Sequence, residues 1–268
     1  MSPRWRTRRR LLVAVAAVIA LTGCGRDQGS SSATSAGPGA PASGEKGAIT
    51  VLAAASLKDS FTAIGEAFEA ANPGSTVTFN FGASSGLAQQ ITQGAPADVF
   101  ASASPKNMQQ VVDAKAAADP VPFARNVLAI AVPRDNPGKV TALADLGRDG
   151  VKVALCQPQV PCGDLAGKVL AASGVTVRPV TLESDVRATL TKVQLGEVDA
   201  GLVYVTDVKA AGGAVTGIEI PAAVNEATTY PIAALTGAAN PGPAKAFVRF
   251  VLSAPAQAEL AAAGFRAP

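Results

Sequence analysis

The sequence contains no histidine. That removes the commonest general base and the commonest metal ligand together. It also predicts little change in ligand affinity near neutral pH. Aromatic residues are scarce at 4 %, and no stripe of lysine or arginine is visible, so nothing marks a nucleic-acid surface. Long apolar runs are missing as well. The single candidate, LLVAVAAVIAL after MSPRWRTRRR, is too short for a comfortable membrane span. Cysteine is rare, with three residues in the chain: Cys24, Cys156 and Cys162. A cysteine-only metal site would need more ligands. The overall charge of +3 carries little meaning, because five of the basic residues are arginines in the first ten positions. Without them the chain holds 18 basic against 20 acidic residues.

The basic start and apolar run form the n- and h-regions of a secretory signal. The run ends in Leu21-Thr22-Gly23-Cys24, which resembles a bacterial lipobox. That resemblance implies a signal peptide over 1–23, cleavage before Cys24 and lipidation of its thiol. The other reading is an ordinary signal with an incidental cysteine. Residues 24–47 are rich in Ser, Gly, Ala and Pro and lack periodicity, as expected of a flexible tether. In an exported chain the remaining pair, Cys156 and Cys162 in CQPQVPC, suggests a disulfide, with two free thiols as the alternative.

From residue 48 onward the patterns of strands and helices alternate. ITVLAA, TVTFNF, ADVFASA, VKVALC and AGLVYV read as strands. KDSFTAIGEAFEAA places Phe61, Ile64 and Phe68 on one helical face. Such alternation predicts an α/β fold with parallel, doubly wound sheets covered on both faces. Two blocks of this kind stand at 48–125 and 151–215. Two unusually apolar strands, VLAIAVP and TTYPIAAL, read as the crossings between two domains. The expected division is 48–130 plus 232–268 for domain I and 131–231 for domain II.

Four strand-to-helix junctions are built alike. They are AAASL at Ser56, FGASSGLAQQ at Ser84, VPCGDLAGK at Cys162, and LESDVRATL at Val186. Helix N-termini present unpaired N–H groups and a positive dipole end. Several converging ends bind an anion without a cationic side chain. Ser56, Ser84 and Tyr204 would add hydroxyl donors. Each has a plainer role: Ser56, Ser84 and Ser184 as N-caps, and Tyr204 as a buried tyrosine bonded to a carbonyl. Gly82-Ala83-Ser84-Ser85-Gly86 also fits G-x-S-x-G, the nucleophile elbow of serine hydrolases. A hydrolase would need a base, and none is marked.

The segments ITVLAAASLKDSF, NFGASSGLAQQI, GAPADVFASAS, VPCGDLAGK, ESDVRATLTKVQLGEVDAGLVYVTD and YPIAAL resemble, in order, the periplasmic molybdate-binding proteins of ABC importers, the ModA family. The resemblance implies the type II binding-protein fold, two α/β domains joined by a two-strand hinge around a ligand cleft. It implies a molybdate or tungstate ligand held without direct protein–metal bonds, no cofactor, no catalysis, a membrane permease as partner and a monomeric chain. Ligand contacts fall on the hydroxyls of Ser56, Ser84 and Tyr204 and on the main-chain N–H groups of Cys162 and Val186. Two positions depart from the family pattern: Cys162 replaces an expected alanine, and Gly86 replaces a hydroxyl residue.

The chemistry suits a fully deprotonated oxyanion. About seven charge-assisted hydrogen bonds, each worth roughly 1.5–3 kcal/mol, offset the lost hydration of a dianion. Net binding of about 8–12 kcal/mol is the expectation after ordering costs. A lining of donors disfavours phosphate, which keeps a proton at neutral pH. Sulfate is excluded only by size. A carboxylate from Asp185 in the cleft would readmit phosphate. Arg187 is expected to point away or to pair with an acid.

Overall fold

The computed structural model describes residues 46–268. The expected signal peptide, Cys24 and nearly all of the tether lie outside these residues.

The first lobe begins with β1 (Gly47–Ala54), a short 3-10 helix (Ala55–Leu57), α1 (Lys58–Ala71), β2 (Ser75–Gly82), α2 (Ser84–Thr92), β3 (Val99–Ala101), α3 (Pro105–Asp113) and β4 (Val121–Asn126). The α1 periodicity places Phe61, Ile64 and Phe68 in the core, where each large side chain contributes about 1.5–3 kcal/mol by burial. Asn72 ends α1 by donating its side-chain amide to the Phe68 carbonyl at 2.8 Å. The second lobe holds β5 (Leu128–Pro133), β6 (Val153–Cys156), α4 (Pro161–Ser173), β7 (Thr181–Glu183), α5 (Val186–Gln194), β8 (Ala200–Tyr204), α6 (Val205–Ala211) and β9 (Val215–Glu219). The chain then returns to the first lobe for β10 (Thr228–Ala234), α7 (Pro241–Val251) and α8 (Ala254–Ala263).

Each lobe is built on a five-stranded sheet, ordered β2-β1-β3-β10-β4 in the first and β7-β6-β8-β5-β9 in the second. The sheets are mixed rather than parallel throughout. β10 runs antiparallel to β3 and β4, and β5 runs antiparallel to β8 and β9. Both return strands are apolar because they sit inside a sheet covered on both faces, a pattern that carries no information about direction.

The domain boundaries shift accordingly. VLAIAVP and TTYPIAAL do not cross between lobes. Leu128 already pairs with Tyr204 in the second sheet, and Thr228 already pairs with Asn126 in the first. The crossings are Val127 and the segment 220–227, so the first lobe comprises 46–126 and 228–268. The expected divisions after 130 and 231 each fall a few residues late.

Candidate functional site

The strand ends at β1, β2, β6 and β8 meet between the lobes, as expected where the carboxyl ends of strands feed helices. There a small cavity of about 20 Å³ is lined by Ala54, Ala55, Ser56, Gly82, Ala83, Ser84, Ala103, Pro161, Cys162, Asp185, Val186 and Tyr204. All five ligand positions expected from the sequence are in that wall. The volume accommodates a group somewhat larger than one water. The run of alanines has a direct role: Ala55 and Ala83, on the first lobe, pack against the core of the second. Larger side chains at either position would hold the lobes apart.

The helix starts are unusually bare. Neither the 3-10 helix at Ala55 nor α2 nor α4 has a side-chain cap. Ser84 is the first residue of α2, not its cap, and its Oγ accepts a hydrogen bond from the Ala103 N–H at 2.9 Å. Ser56 lies inside the 3-10 helix, and its Oγ is 2.9 Å from the Tyr230 hydroxyl. Neither serine has the capping role, and Ser184 is exposed. In α4, Pro161 has no N–H to offer, and the Gly163 and Asp164 N–H groups both bond the Val160 carbonyl. Cys162 therefore supplies the first uncommitted N–H of that helix. Gly163 is required here by close approach: a Cβ on it would overlap the Gln157 carbonyl oxygen. The Cys156–Cys162 disulfide is formed, with Cα atoms 5.8 Å apart, and ties the end of β6 to the start of α4.

In α5 the cap is Asp185, whose Oδ1 accepts from the N–H groups of Arg187 at 2.8 Å and Ala188 at 3.0 Å. The Val186 N–H, first of the helix, is left for the cavity. Asp185 does line the cavity, but its Oδ1 is committed to the helix end rather than to a guest. Among the described residues, no lysine or arginine lines the cavity.

Arg187 turns to the adjoining cleft and pairs with two acids. It contacts Asp59 of α1, across the lobes, and its Nε lies 3.1 Å from Asp207 Oδ1. That second contact is an ion pair not aligned as a hydrogen bond. Asp207 is fully buried and accepts the Tyr204 N–H at 3.1 Å. Burial pushes its carboxyl up to about 7, against the opposing pull of Arg187 and of that N–H. Reasoning from the absence of histidine overlooked this group.

Tyr204 is buried at the end of β8, and among the described residues its hydroxyl has no partner in hydrogen-bond geometry, although the Tyr230 hydroxyl is close enough to act on it. Burial, with the neighbouring Tyr230 and Asp207 adding to it, holds its ionisation well above the ordinary tyrosine range. It is a neutral donor. A buried hydroxyl without a partner costs about 1–3 kcal/mol, so a guest that accepts from it gains that much. The carbonyl-bonded tyrosine role is thereby set aside. The hydrolase reading fails on geometry: Ser84 has an amide N–H as its partner, and no lysine lines the cavity.

Two residues escaped the sequence reading. Tyr230 and Asn126 stand behind Ser56, and the Tyr230 ring packs against Tyr204 with centroids 6.1 Å apart.

A two-lobed α/β body with a donor-lined cavity between the lobes defines a class, and the comparisons agree. The chain belongs to the bacterial extracellular solute-binding proteins, whose family model matches residues 49–266. More narrowly, it is 42 % identical over 258 residues to the molybdate-binding protein ModA of Mycobacterium tuberculosis H37Rv, covering 96 % of this chain and 97 % of that one. A substrate-binding domain of a putative molybdenum ABC transporter from Clostridium difficile is 29 % identical, with a TM-score of 0.63, covering 82 % of this chain and 99 % of that one. The periplasmic molybdate-binding protein of Azotobacter vinelandii shares the fold, with a TM-score of 0.74 at 23 % identity, over 82 % of this chain and 99 % of that one. The chain is a binding protein and not an enzyme.

Proposed function

We propose that this protein binds molybdate, or tungstate, between its lobes and delivers it to the permease of an ABC importer. The Tyr204 hydroxyl carries the reading: it is fully buried, without a partner, and in the wall of a cavity whose other donors are the Ser56 and Ser84 hydroxyls and the main-chain N–H groups of Cys162 and Val186. Donors from both lobes surround one small volume, and no cation competes for the guest. A tetrahedral dianion lets every donor point inward. Protonated phosphate finds only the Asp185 carboxylate as an acceptor in that wall, and Oδ1 of that carboxylate is committed to α5. The names of the relatives favour molybdate over sulfate. The family description supports an extracytoplasmic location. Anchoring by a lipid on Cys24 and a monomeric state complete the reading.

Calorimetric titration with molybdate, tungstate, sulfate and phosphate tests it, alongside melting curves with each anion. Molybdate is expected to bind at least a hundredfold more tightly than sulfate, a difference of about 2.7 kcal/mol. It should also raise the melting temperature at saturating concentration. Molybdate binding no tighter than sulfate sinks the assignment.

A further inference from the structure

We infer that Asn126 and Tyr230 form a one-way donor chain that fixes the Ser56 hydroxyl proton toward the cavity, making Ser56 an obligate donor that favours oxyanions carrying no proton. The inference rests on the anion-binding reading of the cavity and adds residues that touch no ligand themselves. Asn126 and Tyr230 are positioning residues acting through Ser56.

The direction of the chain follows from a backbone group. The Val127 N–H can only donate, and it reaches Asn126 Oδ1 at 3.0 Å. The other end of that side-chain amide is therefore the NH₂ group, which has donors alone. It reaches Thr206 Oγ1 at 2.8 Å and the Tyr230 hydroxyl at 3.5 Å. Tyr230 Oη is thus approached by a donor on one side; its contact with Ser56 Oγ at 2.9 Å allows either hydroxyl to donate, and the inferred chain is the arrangement in which Tyr230 does. The Ser56 proton is left facing away from Tyr230, and Ser56 lines the cavity. Asn126, Thr206, Tyr230 and Ser56 are all buried, so no bulk water competes for these bonds. Ser84 repeats the arrangement by other means. The Ala103 N–H occupies its oxygen from behind at 2.9 Å, so its proton also turns to the cavity. Both serines are therefore approached by a donor from behind.

The chemical consequence is selective. A fully deprotonated anion accepts from both serines. Hydrogen phosphate must place its proton on an acceptor, and each serine oxygen already has one lone pair taken from behind, which leaves the Asp185 carboxylate as the other acceptor in the wall. The chain also starts where the lobes join. Val127 is the crossing residue, and Thr206 belongs to the second lobe.

The test is a double-mutant cycle on the full protein, read by calorimetry at neutral pH with molybdate, sulfate and phosphate. Tyr230→Phe should weaken molybdate and sulfate about fivefold, the scale of one neutral hydrogen bond. It should weaken phosphate less, so the sulfate-to-phosphate ratio narrows. In a Ser56→Ala background the same change should cost nothing more. Asn126→Asp, nearly isosteric, should reverse the chain: Tyr230 then donates to the new carboxylate and Ser56 donates to Tyr230. That variant should narrow the sulfate-to-phosphate ratio further, and it is read at about pH 8, where phosphate like sulfate is chiefly a dianion and the added charge cancels from the ratio. It also serves if Tyr230→Phe fails to fold. Equal weakening of all three anions, or additive losses in the cycle, overturns the inference and leaves the molybdate assignment standing. A protein that prefers sulfate overturns that assignment, while the cycle still decides the donor chain on sulfate. A protein that binds none of these anions overturns both.

Discussion

The two lobes share a sheet plan but not a core chemistry. All nine phenylalanines lie in the first lobe, where Phe61, Phe68 and Phe247 meet edge to face at centroid distances of 5.3–6.1 Å. The second lobe is packed with valine, leucine and alanine and contains a single aromatic side chain, Tyr204. The one ring in the second lobe's core thus also stands at the cavity, with its hydroxyl unmatched. The aromatic lobe gains rigidity from interlocking rings, each pair adding about 0.5–1.5 kcal/mol beyond burial. The aliphatic lobe has the disulfide instead, placed against one of the N–H groups of the cradle. Stability and recognition are therefore shared unequally between the lobes.

The sharpest way to break this contrast is to cut one core at a time. Phe247→Ala should cost about 3–5 kcal/mol, and Leu190→Ala in the second lobe about 2–5, toward the lower end because small aliphatic neighbours can close in. Urea unfolding followed by circular dichroism measures both. Equal losses would show that the ring network adds nothing of its own.

Next in size is Tyr204→Phe. It removes one hydroxyl and no packing, so the unliganded protein should keep its stability or gain slightly. Molybdate affinity should fall by about 1.5–3 kcal/mol, roughly 10- to 150-fold. Unchanged affinity by calorimetry would mean that the hydroxyl has another partner.

The remaining effect is set by pH and concerns Asp207. Its ordinary value of 3.8 is raised to about 7 by burial. Between those values the folded chain holds a proton that the unfolded chain has released. Stability is therefore greatest below about pH 4 on this account and declines as pH rises toward 7. The groups facing Asp207 are Arg187, the Tyr204 N–H, Asp59 and Asp185. Asp207→Asn should flatten that decline in melting temperature between about pH 4 and 7. An unaltered slope would place the titration elsewhere.

The cavity wall was legible because its signals are local. Ser56, Ser84, Cys162 and Val186 each sit where an apolar strand gives way to a helix, and the sheet plan brings such ends together. Tyr204 follows the same logic at the end of β8. Tyr230 was not legible. It lies in an apolar strand, and its contact with Ser56 spans 174 residues. Only the antiparallel insertion of β10 between β3 and β4 brings them together. Strand direction was hidden for a related reason, since a strand buried on both faces reads the same either way. β4, α6 and β9 were missed as well: VPFARN follows Pro120 and carries Pro122, which mask a strand, and α6 follows β8 with no intervening turn signal. Asp185 and Arg187 needed coordinates to show which way each points.

The sulfur bridge between Cys156 and Cys162 sits beside a main-chain donor of the cradle. Thiols join only where an oxidant is available. In reducing surroundings the same polypeptide would keep the backbone hydrogen bonds of that corner but lose its one covalent tie.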